Sequence, residues 1–67
     1  MKLSYYPDTD TLYISLSEKV SVDSDEIAED FVIDYDENGR PIGIEIEHAS
    51  KVMDLTKLEA HSLPIAG

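Results

Sequence analysis

The segment Asp34-Tyr35-Asp36-Glu37-Asn38-Gly39-Arg40-Pro41-Ile42-Gly43-Ile44-Glu45 constrains the fold more than any other part of the chain. On its N-terminal side Phe31, Ile33 and Tyr35 share one parity, and on its C-terminal side Ile42, Ile44 and Ile46 share another. Period two is the signature of a strand with one buried face, and Asn-Gly between two such runs is a strong hairpin signal. A two-residue loop at Asn38-Gly39 sets Tyr35 opposite Ile42, Ile33 opposite Ile44, and Phe31 opposite Ile46. It also places Glu37 across from Arg40. A four-residue loop from Asp36 to Gly39 keeps the same inward face, whereas a three-residue loop sets Ile33 opposite Gly43 and turns one apolar row outward. Asn-Gly tolerates the positive φ angles of a type I′ turn, so the two-residue loop is favoured.

The same residues admit a second reading. Asp34, Asp36, Asn38 and Glu45 stand at positions one, three, five and twelve of a calcium loop, with Gly39 at position six. Such a loop needs flanking helices, and both flanks here have the strand period. Position eight, usually β-branched, is Pro41. Asp34 and Glu45 would also lie on two strands of the hairpin rather than converge. The hairpin is therefore the leading reading, and a divalent-cation site at Asp34, Asp36, Asn38 and Glu45 is the alternative.

A first hairpin precedes it. Leu3 and Tyr5, then Leu12, Ile14 and Leu16, alternate around the turn residues Pro7-Asp8-Thr9-Asp10. A turn of two or four residues faces Tyr5 with Leu12, Leu3 with Ile14, and Met1 with Leu16. Glu18 to Asp25 reads as a connection with a short edge segment at Val20 and Val22, and the second hairpin begins near Glu26. After Glu47 the period becomes helical, through Ala49, Val52, Met53 and Thr56, with Ser50 or Asp54 as a candidate cap. The expectation is an α+β fold: a four-stranded antiparallel β-meander of two hairpins, with one C-terminal helix of two to three turns packed on one face. The domain spans residues 1–62, and 63–67 form a flexible tail.

Composition narrows function by exclusion. A chain of 67 residues makes one small domain, with no cysteine for a disulfide or a thiolate metal site. Self-association, with a dimer favoured, is the remaining common route to a larger core. The formal charge is −10, and eight acids with no base lie between Lys19 and Arg40. That field repels phosphate backbones, so no nucleic-acid partner is expected, while a basic protein is a compatible one. No segment has the length or apolarity to span a membrane or serve as a signal peptide, so the expected setting is cytoplasmic. Glu45 and Glu47 are roughly 6.6 Å apart along one strand face, which resembles a carboxylate pair, but solvated acids have the same spacing. His48 and His61 are lone imidazoles, and no serine sits in a nucleophile elbow. No catalytic residue, metal or cofactor is assigned, and the chain is read as non-enzymatic.

Two blocks carry a family resemblance: Tyr5 to Leu16, Tyr-Tyr-Pro-Asp-Thr-Asp-Thr-Leu-Tyr-Ile-Ser-Leu, and Asp34 to Ser50, with its Asp-Glu-Asn-Gly turn leading to Gly-Ile-Glu-Ile. In order and spacing they resemble the domain-of-unknown-function family DUF2283, small proteins of bacteria and archaea, over nearly the whole chain. The resemblance implies no established activity, and a suspected antitoxin-like role as partner of a small basic protein. The chain has no convincing DNA-binding segment or disordered tail of the kind antitoxins add. The apolar residues left over by the pattern, Tyr13 and Val32 on the second sheet face and Val52, Met53 and Leu55 after it, are the expected interface.

Overall fold

The computed structural model describes residues 1–64; part of the expected tail, residues 65–67, lies outside them. Five strands form one antiparallel sheet: β1 (Lys2–Tyr6), β2 (Thr11–Ser15), β3 (Asp23–Ala28), β4 (Phe31–Tyr35) and β5 (Pro41–Ile46). One helical turn, α1 (Ala49–Val52), follows. The strand order is β1-β2-β5-β4-β3, so β2 pairs with β5 and the sheet is not a simple meander.

The first hairpin has the anticipated register, with Leu3 opposite Ile14 and Tyr5 opposite Leu12. Its loop is the four residues Pro7 to Asp10, closed by Thr9 N–H to Tyr6 C=O (3.3 Å) and ending with Asp10 in the left-handed region at φ 53°. β2 and β5 then match Leu12 with Ile46 and Ile14 with Ile44, while β4 and β5 match Phe31 with Ile46 and Ile33 with Ile44. Leu3, Tyr5, Leu12, Ile14, Ile33, Ile44 and Ile46 thus share one face, the apolar face. Tyr13, Val32, Asp34, Gly43 and Glu45 share the other.

The second hairpin turns differently from expectation. Asp36 N–H donates to Arg40 C=O, and Gly39 N–H donates to Asp36 C=O, both at 3.0 Å. The loop is therefore the three residues Glu37, Asn38 and Gly39, of which Gly39 alone has positive φ, at 75°. Such a loop flips parity unless one strand gains a residue. Here it does: the register slips between Asp34 and Tyr35, so that Asp34 faces Gly43 but Tyr35 faces Pro41. The bulge restores the apolar row, and Arg40 meets Asp36 in place of Glu37.

Two further expectations are corrected. The connecting segment leads into a fifth strand, and the edge is Asp23–Ala28 rather than Val20 and Val22. All six of its residues are exposed, so it has no apolar row to betray it; pairing with β4 defines it instead. The helix is one turn, not two to three. Met53 is extended, and the Asp54 carboxylate accepts from Thr56 N–H (2.9 Å) and Thr56 Oγ1 (2.5 Å). That local Asx turn competes with helix continuation. The helix buries only Ala49, and residues beyond it run along the apolar face, where Met53, Leu55 and Leu58 line a groove with Leu3, Tyr5 and Leu12.

Candidate interaction surfaces

The sheet's two faces carry different chemistry. On the face of Tyr13, a polar chain crosses four strands. The Tyr13 hydroxyl of β2 donates to Asp34 Oδ2 of β4 (3.1 Å), and Ser24 Oγ of β3 donates to Asp34 Oδ1 (2.6 Å). Between them lies Gly43 of β5; a Cβ there would collide with the Tyr13 hydroxyl. Glycine in a strand interior often marks this kind of close approach. Asp34 is buried with both carboxylate oxygens hydrogen-bonded. Burial first, then the Asp34 charge, push the Glu45 carboxyl above its usual range. Burial and the bond to Asp34 push the Tyr13 phenol upward.

Two more aspartates organise turns. Asp10 C=O accepts Ala49 N–H (2.8 Å), its Oδ1 accepts the Tyr5 hydroxyl (2.7 Å) and Ser50 N–H (3.1 Å), and its Oδ2 accepts Ser50 Oγ (2.6 Å). The first hairpin loop thereby caps α1 from a distance in sequence. These bonds, Ser50 and Tyr5 foremost, hold the Asp10 carboxyl below its usual range. Asp36 Oδ1 accepts Arg40 N–H (3.0 Å) and Asn38 N–H (2.9 Å), which lowers the Asp36 carboxyl in the same way. His48 and Asp30, both in the left-handed region, pair at 2.9 Å, and Glu47 N–H donates to Asp30 C=O (2.8 Å) beside them. The Asp30 carboxylate raises the His48 imidazole above its ordinary value.

Of the four alternative cation ligands, Asp34 and Glu45 share the Tyr13 face closely enough for their charges to interact, while Asp36 and Asn38 stand apart in the turn. Asp34 is engaged by Tyr13 and Ser24, Asp36 and Asn38 belong to the turn, and Glu45 stands opposite Tyr13 and Val32. Among the described residues no group of three or more His, Asp or Glu side chains is placed to hold a metal ion. Neither Asp10 as a remote cap nor Gly43 as clearance for Tyr13 is assigned by the residue pattern alone. The signal for Gly43 was present, because a glycine interrupting Ile42 and Ile44 has no turn to serve.

The expected interface residues divide between the faces. Tyr13 and Val32 are half-buried within the tyrosine face, whereas Val52 and Leu55 are exposed and Met53 is half-buried near the apolar groove. The apolar face is poorly covered. Among the described residues only Ile42, Ile46 and Ala49 are buried apolar side chains, while Leu3 is 43% exposed, Tyr5 44% and Leu58 77%. No described helix is long and apolar enough to cross a membrane.

No curated protein and no solved structure matches the chain. The family described as "Protein of unknown function (DUF2283)" matches residues 2–50, which takes in all five strands and the start of α1. The chain belongs to the DUF2283 family.

Proposed function

We propose that this chain is a non-enzymatic protein-interaction domain that associates with a second copy of itself, consistent with a cytoplasmic setting. The observation that carries the reading is the half-open apolar face: a single sheet with one helical turn leaves Leu3, Tyr5, Leu16, Leu55 and Leu58 exposed. Contiguous apolar exposure of this kind marks protein contacts in small folded domains. The hydrogen bonds of Asp34 and Asp10 go to hydroxyls and a backbone N–H within the fold, which suits a scaffold role for these carboxylates. Association of folded chains stabilises the folded state by mass action, so the melting midpoint should rise with protein concentration. A midpoint independent of concentration over a hundredfold range would contradict it.

A second reading is favoured by one specific feature. The β3 edge presents Asp23, Asp25 and Glu26, all exposed, with Glu29 exposed in the adjoining turn. A basic protein partner, as in an antitoxin-like pair, would find its charge complement there. Reversing Asp25 and Glu26 to lysine should then abolish capture of that partner while leaving self-association intact.

A further inference from the structure

We propose that two copies of this chain join through their β1 edges, antiparallel about Ser4, to make one continuous sheet. The inference rests on the self-association reading and assigns it an edge and a register: pairing there sets the two apolar faces side by side and covers the edge residues Leu3 and Tyr5 rather than the whole face. β1 and β3 are the two edges of the sheet, and they are protected unequally. β3 carries three carboxylates and a bulge between Glu26 and Ala28, both of which discourage strand addition. β1 has neither: Lys2-Leu3-Ser4-Tyr5-Tyr6 contains no acid and no proline, and its register with β2 is unbroken. In a chain of net charge −10, this edge lets two copies approach without opposed carboxylates.

The backbone specifies the pairing. Leu16 N–H donates to Ile42 C=O (2.8 Å), so even-numbered β2 residues direct their backbone groups to β5 and odd-numbered ones to β1. Ser15, Tyr13 and Thr11 therefore bond Lys2, Ser4 and Tyr6, their register partners. The N–H and C=O of Leu3 and Tyr5 point away from the sheet, free for an added strand. A two-fold axis at Ser4 sets Leu3 of each copy against Tyr5 of the other as hydrogen-bonded pairs. Both side chains lie on the apolar face, so the apolar rows run across the seam. Lys2 falls opposite Tyr6 of the second copy, an ammonium beside an aromatic ring.

Leu3→Pro tests the edge, because it removes an outward N–H and no β1–β2 bond. Light scattering should give the wild type twice the chain mass, and Leu3→Pro the chain mass, with an unchanged far-ultraviolet circular dichroism spectrum. Amide exchange on the wild type gives a second readout should that variant not fold. The Leu3 and Tyr5 amides should slow at least about tenfold from dilute to concentrated solution. A Leu3→Pro dimer, or Leu3 and Tyr5 amides whose exchange ignores concentration, would overturn the edge pairing while sparing self-association. A wild-type monomer would overturn both, and a mass growing past two chains would point to head-to-tail β1–β3 stacking and also overturn it.

Discussion

Tyr13 and Asp34, 21 residues apart and on strands that do not touch, are joined by a 3.1 Å hydrogen bond that passes over Gly43. The bond ties β2 to β4 across β5, and the glycine is what lets the phenol lie flat enough to reach. Gly43→Ala should therefore destabilise the domain by about 1–3 kcal/mol, since the tyrosine must move or the strand must shift. In a Tyr13→Ser background the same change should cost less than about 0.5 kcal/mol, a coupling that denaturant melts of the double-mutant cycle read directly. Equal costs in both backgrounds would mean the contact does not restrict position 43.

Gly39 makes the opposite case. Nothing lies near a Cβ built there, yet its φ of 75° is one that β-branched residues adopt badly. Gly39→Val should cost more than about 1 kcal/mol through backbone strain alone, measurable as a lower urea midpoint with an unchanged slope. Gly39→Asn should recover part of the loss, because asparagine tolerates the left-handed region.

Glu45 has its carboxyl pushed above the usual range by burial and by Asp34. A raised acid destabilises the fold while ionised, and that penalty is relieved as pH falls through its folded value. Glu45→Gln should raise the melting temperature at pH 7. The gain should vanish near pH 4, where the wild-type carboxyl is protonated in the folded state. A gain that is the same at both pH values would assign the effect to something other than ionisation.

His48 titrates in the other sense. Its folded value is raised by the Asp30 carboxylate, so the pair contributes stability below the unfolded imidazole value of about 6.5 and loses it as pH rises through the folded value. Asp30→Asn should lower the melting temperature at pH 6 and have a smaller effect at pH 8.5. Thermal melts at the two pH values check the sign; a larger loss at pH 8.5 would refute it.

Period-two alternation made the first hairpin, its register and the pairing of Ile33 with Ile44 legible, because each of those strands has one apolar row. It failed where that row is missing. β3 is acidic and exposed throughout, and a strand held only by its neighbour's backbone leaves no periodic trace. Parity excludes a three-residue turn only between unbulged strands, and the register slip between Asp34 and Tyr35 admits one. The helix is shorter than its spacing implies, since Ala49, Val52 and Met53 fall at helical intervals while the Asp54 carboxylate diverts the next turn to Thr56. Of the interaction surfaces, the leftover apolar residues after Glu47 were visible as composition. The contrast between the β1 and β3 edges was not, since it depends on strand order, and the pairing of β2 with β5 has no local signal.

A five-stranded sheet whose β1 edge carries no acid should be joined there by a second copy of itself. Light scattering of the purified chain over a wide concentration range addresses this pairing most directly. Twice the 7.5 kDa chain mass is expected, falling toward one chain only on strong dilution. A constant 7.5 kDa at every concentration would contradict it.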